Sequence, residues 1–303
     1  MKNKTGKLIA IAEVALMLFG ATALLAQRTK MLQVKGSDTM INMVQILAEE
    51  FMAKNPRTPI AVLGGGSGTG VTAMINNTCD IANSSRDWKQ KELDLAWEKG
   101  IKPRLFAVAV DGLSIIVNAK NPLTKLTIDQ VGAIFRGEIK NWNAVGGPGA
   151  KVSLYGRQSN SGTYAFLLEH VLKNKPYSTD MKEMNGNAQI IEGVLADEAA
   201  VGYVGVGYVV DRATGKPMSG LKILTISKDD KSEAYSPMDK EAVDSGKYPI
   251  ARALWQATNG APKGAAAAFL RFELSPEGQK IVEREGFYVV GAKLQAQNDK
   301  NLK

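Results

Sequence analysis

Histidine and cysteine are almost absent from this chain of 303 residues, which holds one of each, His170 and Cys79. A single cysteine excludes an internal disulfide. One cysteine with one histidine leaves too few donors for a zinc centre and no partner set for a histidine-based triad. Cys79 reads as a small buried residue and His170, near a helix end, as a structural one. Basic runs and aromatic-basic interleaving are also missing: the 38 lysines and arginines are scattered among 30 acids, so nucleic acid is not an expected partner. No repeat of fixed period and no low-complexity tract occurs. With 45% hydrophobic and 22% charged residues, the chain has the composition of a globular protein large enough for two domains. Its formal charge of +8 falls to about +6 once Lys2, Lys4, Lys7 and Glu13 are set aside, an excess that can steer anions.

Those four residues lie in a segment, 1–26, that is lysine-rich, then apolar from Leu8 to Phe19, then small. This is the pattern of a secretory signal peptide, cut near Ala23 or after Ala26, and it implies a periplasmic protein. Glu13 interrupts the apolar region, and an uncleaved anchor of about 19 residues is the alternative. No cysteine follows to carry a lipoprotein anchor, and nothing later is apolar enough to cross a membrane.

Glycine, serine and threonine are abundant where strands give way to helices. The strand Val152 to Tyr155 leads through Gly156-Arg157-Gln158-Ser159-Asn160-Ser161-Gly162-Thr163 into the apolar run from Tyr164. Helix-initial N–H groups lack intrahelical partners and carry the positive end of the macrodipole, so they can hold an oxyanion. Ser161 and Thr163 add hydroxyls, Gly162 lets the backbone approach, and Arg157 offers a planar fork of donors. The plainer alternative makes Ser161 a helix cap and Arg157 a solvated surface charge.

Two further stretches have the same chemistry. Met31 to Val34 reads as a strand and Ile41 to Lys54 as a helix, joined by Lys35-Gly36-Ser37-Asp38-Thr39-Met40. After a strand from Ile60 to Leu63, Gly64 to Gly70 runs into a helical Val71 to Ile75, with Ser67 and Thr69 as hydroxyl donors. This loop matches neither the Walker A pattern nor the dinucleotide fingerprint, so no nucleotide cofactor is expected. The strand Cys79 to Asn83 then ends at Ser84-Ser85-Arg86-Asp87, where Arg86 and Asp87 either serve an anion or pair with each other at the surface.

Leu105 to Val110 and Leu113 to Asn118 form an apolar run broken at Asp111-Gly112, which suits a buried strand of a mostly parallel sheet with a crossing between domains. Further on come a helix at Lys89 to Lys99, a capped helix from Leu126 to Phe135, and a glycine-rich turn around Trp142. Ile190 to Val194, Val201 to Val206 and Leu221 to Ile226 read as strands, Tyr248 to Trp255 as a second crossing, Ala265 to Leu274 and Glu277 to Glu285 as helices, and the tail after Gly291 as frayed. The class is α/β.

Taken together, Lys35-Gly36-Ser37-Asp38-Thr39, Gly65-Gly66-Ser67-Gly68-Thr69, Asp80 to Arg86, Asp111-Gly112-Leu113, Trp142-Asn143, Arg157-x-x-x-Ser161-Gly162-Thr163 and Tyr248-Pro249-Ile250 resemble the phosphate-binding component of the bacterial phosphate ABC transporter. The resemblance implies a two-lobed type II periplasmic-binding fold with two chain crossings: lobe one from 27–112 plus 248–303, lobe two from 113–247. It implies a monomer that binds inorganic phosphate and serves a membrane permease, with no cofactor and no catalysis. By that analogy Thr39, Met40 through its amide, Ser67 and Ser85 contact phosphate from lobe one, and Arg157, Ser161, Gly162 and Thr163 from lobe two. Many members carry an aspartate where Ser85 stands, to accept the proton of phosphate; here the acceptor is expected at Asp111 or Asp87, with Arg86 in support. Asn160 also departs from the commoner glycine or serine. Three rivals stay open: a carrier of sulfate, molybdate or another oxyanion, a secreted phosphatase or serine hydrolase using Ser161 or Ser67, and a sensor or surface interaction protein on the same fold. The second lacks both a general base and a Gly-x-Ser-x-Gly elbow.

Overall fold

A computed structural model describes residues 30–211 and 214–303, so the expected signal peptide, 1–26, lies outside the described residues. The chain opens with β1 (Leu32–Gly36), α1 (Ile41–Lys54), β2 (Ile60–Leu63), α2 (Ser67–Ile75), β3 (Ile81–Ser84), α3 (Gln90–Glu98) and the long β4 (Pro103–Asn118). There follow β5 (Lys125–Thr127), α4 (Ile128–Phe135), β6 (Ser153–Arg157), α5 (Gly162–His170), β7 (Lys182–Met184), α6 (Asn187–Ala196) and β8 (Ala200–Gly205). The remainder is β9 (Leu221–Ile223), β10 (Thr225–Ser227), β11 (Ala234–Tyr235), α7 (Lys240–Asp244), β12 (Ala251–Asn259), α8 (Gly264–Glu273), α9 (Pro276–Arg284) and α10 (Ala292–Asn301). Among the described residues no helix is long and apolar enough to cross a membrane.

Nine strands share one mixed sheet in the order β2-β1-β3-β12-β4-β8-β6-β7, with β9 also on β4. β1, β2 and β3 are parallel, as strands joined through helices must be to lie side by side in this way. Helix α1 turns Met43, Val44, Leu47, Ala48 and Phe51 into the core, the 3.6-residue period visible in its sequence. One core gathers Val34, Leu47, Phe106, Leu254 and Phe269; a separate one gathers Ile115, Phe135, Trp142, Leu154 and Tyr203. The sheet is continuous, but its two halves pack independently.

Strand β4 joins the halves, and here the sequence misleads twice. It is one sixteen-residue strand and does not break at Asp111-Gly112. The Asp111 carboxylate is tolerated in mid-strand because Val206 N–H and the Arg252 guanidinium occupy its oxygens. All its partners are antiparallel: β12 along residues 103–112, then β8 and β9 along 113–118. A strand covered on both faces is apolar throughout whatever the direction of its neighbours.

Three other expectations are corrected. Ile190 to Val194 lies within helix α6, where Ile190, Ile191 and Val194 share a buried face; the β-branched run concealed a helical period. Leu221 to Ile226 is two strands split at Leu224. The tail is helix α10, fixed to β4 by Asn298, whose side chain accepts from Ala107 N–H at 2.9 Å and donates to its carbonyl at 2.7 Å. Polar residues that grip a strand's backbone leave no hydrophobic signature. Trp142 is fully buried and donates to the Ala199 carbonyl, a packing role.

Candidate oxyanion site

Helices α1, α2 and α5 all begin where the two halves of the sheet meet. Ser161 caps α5, its hydroxyl accepting from Thr163 N–H at 3.2 Å and Tyr164 N–H at 3.3 Å. Helix α2 springs from Gly65 and Gly66, whose φ angles of +115° and +90° only glycine adopts without strain. The residues before α1 carry Thr39 inward.

The hydroxyls come together in pairs. Thr39 Oγ1 and Thr163 Oγ1, from opposite halves, lie 2.9 Å apart. Ser67 Oγ is 3.3 Å from Ser85 Oγ and accepts the Ser85 N–H at 3.0 Å. Gly162 faces that second pair so closely that a Cβ there would strike both hydroxyls. The Gly64-to-Gly70 loop meets the turn before α5 directly: Gly68 N–H donates to the Asn160 carbonyl at 3.0 Å, and Asn160 Nδ2 to the Gly65 carbonyl at 2.9 Å. Asn160 is therefore a contact between the halves, a role its place in a turn did not reveal. Thr39, Ser67, Ser85, Ser161, Gly162 and Thr163 are thus brought together and buried.

Arg157 is buried, at 2% exposure, which removes the reading of it as a surface charge. Its Nη2 donates to Asp38 Oδ2 at 2.5 Å and to the Asn185 carbonyl at 2.9 Å, and its Nε to the Met184 carbonyl at 3.2 Å. Asp38 in turn accepts Gly65 N–H through Oδ1 at 2.7 Å, and its carbonyl accepts from Tyr208 Oη at 2.6 Å. Burial pushes the Tyr208 phenol up to about 12, so it remains a donor at neutral pH. The Met40 amide, expected to face an anion, donates to the Ser37 carbonyl at 3.2 Å.

Of the expected supporting groups, Arg86 and Asp87 stand apart. Arg86 forks onto Glu92 at 2.7 and 2.8 Å, and Asp87 is exposed. Burial would raise the Glu92 carboxyl, but the Arg86 and Lys89 hydrogen bonds outweigh it and hold it below the usual range. This ion pair anchors α3. Asp111 does reach the site, bound at Oδ2 by Arg252 Nε (3.0 Å) and Nη2 (2.8 Å), and at Oδ1 by Val206 N–H (2.9 Å). Arg252 Nη2 also donates to Thr163 Oγ1 at 3.0 Å. Arg252 was not among the sequence candidates. Its signal was there: Asp111 is the one acid in β4 and Arg252 the one charge in β12, both mostly apolar strands.

Of the remaining candidates, Cys79 is a free, buried thiol that burial raises to about 12, unsuited to nucleophilic chemistry. His170 ends α5 and stacks on Phe166, with ring centroids 4.2 Å apart.

A family model described as the PBP superfamily domain matches residues 21–277. The phosphate-binding protein PstS of Pseudomonas aeruginosa is 32% identical over 284 residues, covering 88% of this chain and 85% of its own. The chain belongs to the PstS family. The PstS of Borreliella burgdorferi is 31% identical over 267 residues, covering 85% of this chain and 89% of its own. Among solved structures, a substrate-binding protein of Clostridium perfringens with bound phosphate superposes with a TM-score of 0.75 at 26% identity, covering 86% of this chain and 100% of that one. The two-lobed type II periplasmic-binding fold of the PstS family is thus the fold of this chain, and the relatives are named for binding, not for catalysis.

Proposed function

We propose that this protein binds inorganic phosphate outside the cytoplasm and delivers it to the permease of an ABC importer, with no covalent chemistry. The observation that carries this reading is the meeting of three helix starts with the Thr39–Thr163 and Ser67–Ser85 hydroxyl pairs and Gly162. Fixed hydroxyls, helix-initial amides and dipoles can hold a dianion without a matching net charge. The relatives support the ligand: the Pseudomonas protein is named for phosphate, and the Clostridium structure contains it.

In this reading Thr39, Met40, Ser67 and Ser85 approach phosphate from lobe one (27–112 and 248–303), and Arg157, Ser161, Gly162 and Thr163 from lobe two (113–247). The lobes turn about β4 and the segment entering β12, opening to admit ligand and closing over it. The protein acts as an exported monomer, released by cleavage of residues 1–26.

One observation favours a second reading, a carrier that also accepts sulfate. Asp38 and Asp111, the two carboxylates at the site, already accept from an arginine and from main-chain N–H groups. Both are already engaged, and the usual aspartate position holds Ser85. Calorimetric titration of the ligand-stripped protein decides between them. One-to-one phosphate binding that excess sulfate leaves unchanged, and that falls about tenfold or more in Thr39→Val, is the expected result. Displacement by sulfate moves the assignment to a general oxyanion carrier. No binding of either anion overturns the function.

A further inference from the structure

Arg252 enters from β12, the strand that returns to lobe one, and its side chain is 2% exposed. Two of its nitrogens bind one oxygen of Asp111, and Nη2 also reaches Thr163. The third, Nη1, is buried with no hydrogen-bond partner. The guanidinium lies over the Phe166 ring, 5.3 Å from its centroid, so its plane is held on α5, the helix whose N-terminus forms part of the site. Burial lowers the affinity of Arg252 for its proton; Asp111 opposes this and the Arg157 charge adds to it. Arg157 and Arg252 thus bring two buried guanidinium groups to one site, each beside an aspartate.

The hydrogen-bond order has a further consequence. A threonine hydroxyl has one proton to give and two lone pairs. Arg252 occupies a lone pair of Thr163, and the Thr39–Thr163 contact takes up one of the two protons the pair owns. What remains to the pair is one O–H to give and two lone pairs, with the Arg252 guanidinium directly behind Thr163. A buried guanidinium at that position suits the ligand form of higher negative charge.

We propose that Arg252 is a positioning and specificity-determining residue of this oxyanion site, which fixes the Thr163 hydroxyl and sets a buried positive charge behind the Thr163–Thr39 pair, and thereby favours the more highly charged form of the ligand. The inference rests on the phosphate reading and deepens it. It assigns to a residue of the crossing strand the preference between HPO4²⁻ and H2PO4⁻.

The test is calorimetry with inorganic phosphate near pH 6 and near pH 8, on either side of the loss of the second proton, beside thermal melting without ligand. The proteins are wild type, Arg252→Gln, Arg252→Lys and the double variant Asp111→Asn/Arg252→Gln. In Arg252→Gln the affinity is expected to fall about tenfold or more near pH 8 and less near pH 6. Arg252→Lys, which keeps a charged donor, recovers much of that loss. The double variant restores the melting temperature by removing the stranded carboxylate, and does not restore affinity. An equal loss at both pH values, or recovery of affinity together with melting temperature in the double variant, makes Arg252 a purely structural partner of Asp111 and overturns the proposal. Wild-type affinity retained by Arg252→Gln at both pH values also overturns it while leaving the phosphate reading intact. A wild-type protein that binds no phosphate removes both.

Discussion

The molecule contains two buried arginine–aspartate pairs at one site, and they are built differently. Arg252 and Asp111 face each other in register on adjacent strands, β12 and β4, both inside the sheet. Arg157 and Asp38 come from opposite sides of the meeting point, the end of β6 and the loop before α1, with Asp38 at 17% side-chain exposure. The first pair is fixed by strand register in the segments that join the two halves. The second spans the two halves, as the Tyr208 and Asn160 contacts do, so in the proposed hinge reading it forms as the lobes close. Nearly the same chemistry thus stands in two settings, one within the strands that join the halves and the other across the gap between them.

That comparison can be broken most severely at Asp111. Asp111→Ala leaves the Arg252 charge buried and unpaired, and a loss of about 3–5 kcal/mol in urea unfolding is expected; a loss under about 1 kcal/mol would make the joint no stronger than a surface pair. Glu273 sharpens the comparison as a buried carboxyl without an arginine: it accepts from Gln256 Nε2 at 3.1 Å and has no ion-pair partner among the described residues. Burial holds it well above the usual carboxylate range. The folded state therefore keeps a proton that the unfolded state releases near pH 4.3, and this contribution to stability declines as pH rises from there to the folded value. The slope is about 1.4 kcal/mol per pH unit for one proton. Glu273→Gln is expected to flatten that stretch of the stability–pH profile; an unchanged profile would show that the carboxyl ionises in the fold at little cost. The smallest effect belongs to Asp38→Ala, about 1 kcal/mol, because Arg157 keeps the Met184 and Asn185 carbonyls. Its stability loss should be larger with phosphate bound than without, and equal losses in the two melts would mean that the pair does not report closure.

Much of this site was legible because its chemistry is local. Ser161-Gly162-Thr163 and Gly65-Gly66-Ser67 each declare a helix start that can face an anion, and the structure brings both to the same place. The role of Arg157 was less visible, since its Asp38 partner lies 119 residues away and nothing nearby in sequence marks the pairing. Arg252 escaped for the same reason, being joined to Asp111 only by strand register. The misread strand at Ile190 to Val194 has another cause: β-branched residues satisfy a buried helix face as well as a buried strand, and a five-residue window does not separate them. α10 escaped because its anchors, Asn298 and Asn301, act on backbone and not through apolar contact.

The place of β12 has a consequence for how the chain becomes a folded protein. β12 lies between β3 and β4, strands that precede it by well over a hundred residues. A chain delivered N-terminus first to the compartment where it folds therefore holds these two edges apart, each with a row of unpaired N–H and C=O groups, until residue 259 has arrived. The C-terminal half of β4, with β6, β8 and β9, needs no later strand and can assemble earlier. The segment that starts the sequence is thus among the last to be completed, and a truncation just before Ala251 should leave it unable to close its sheet.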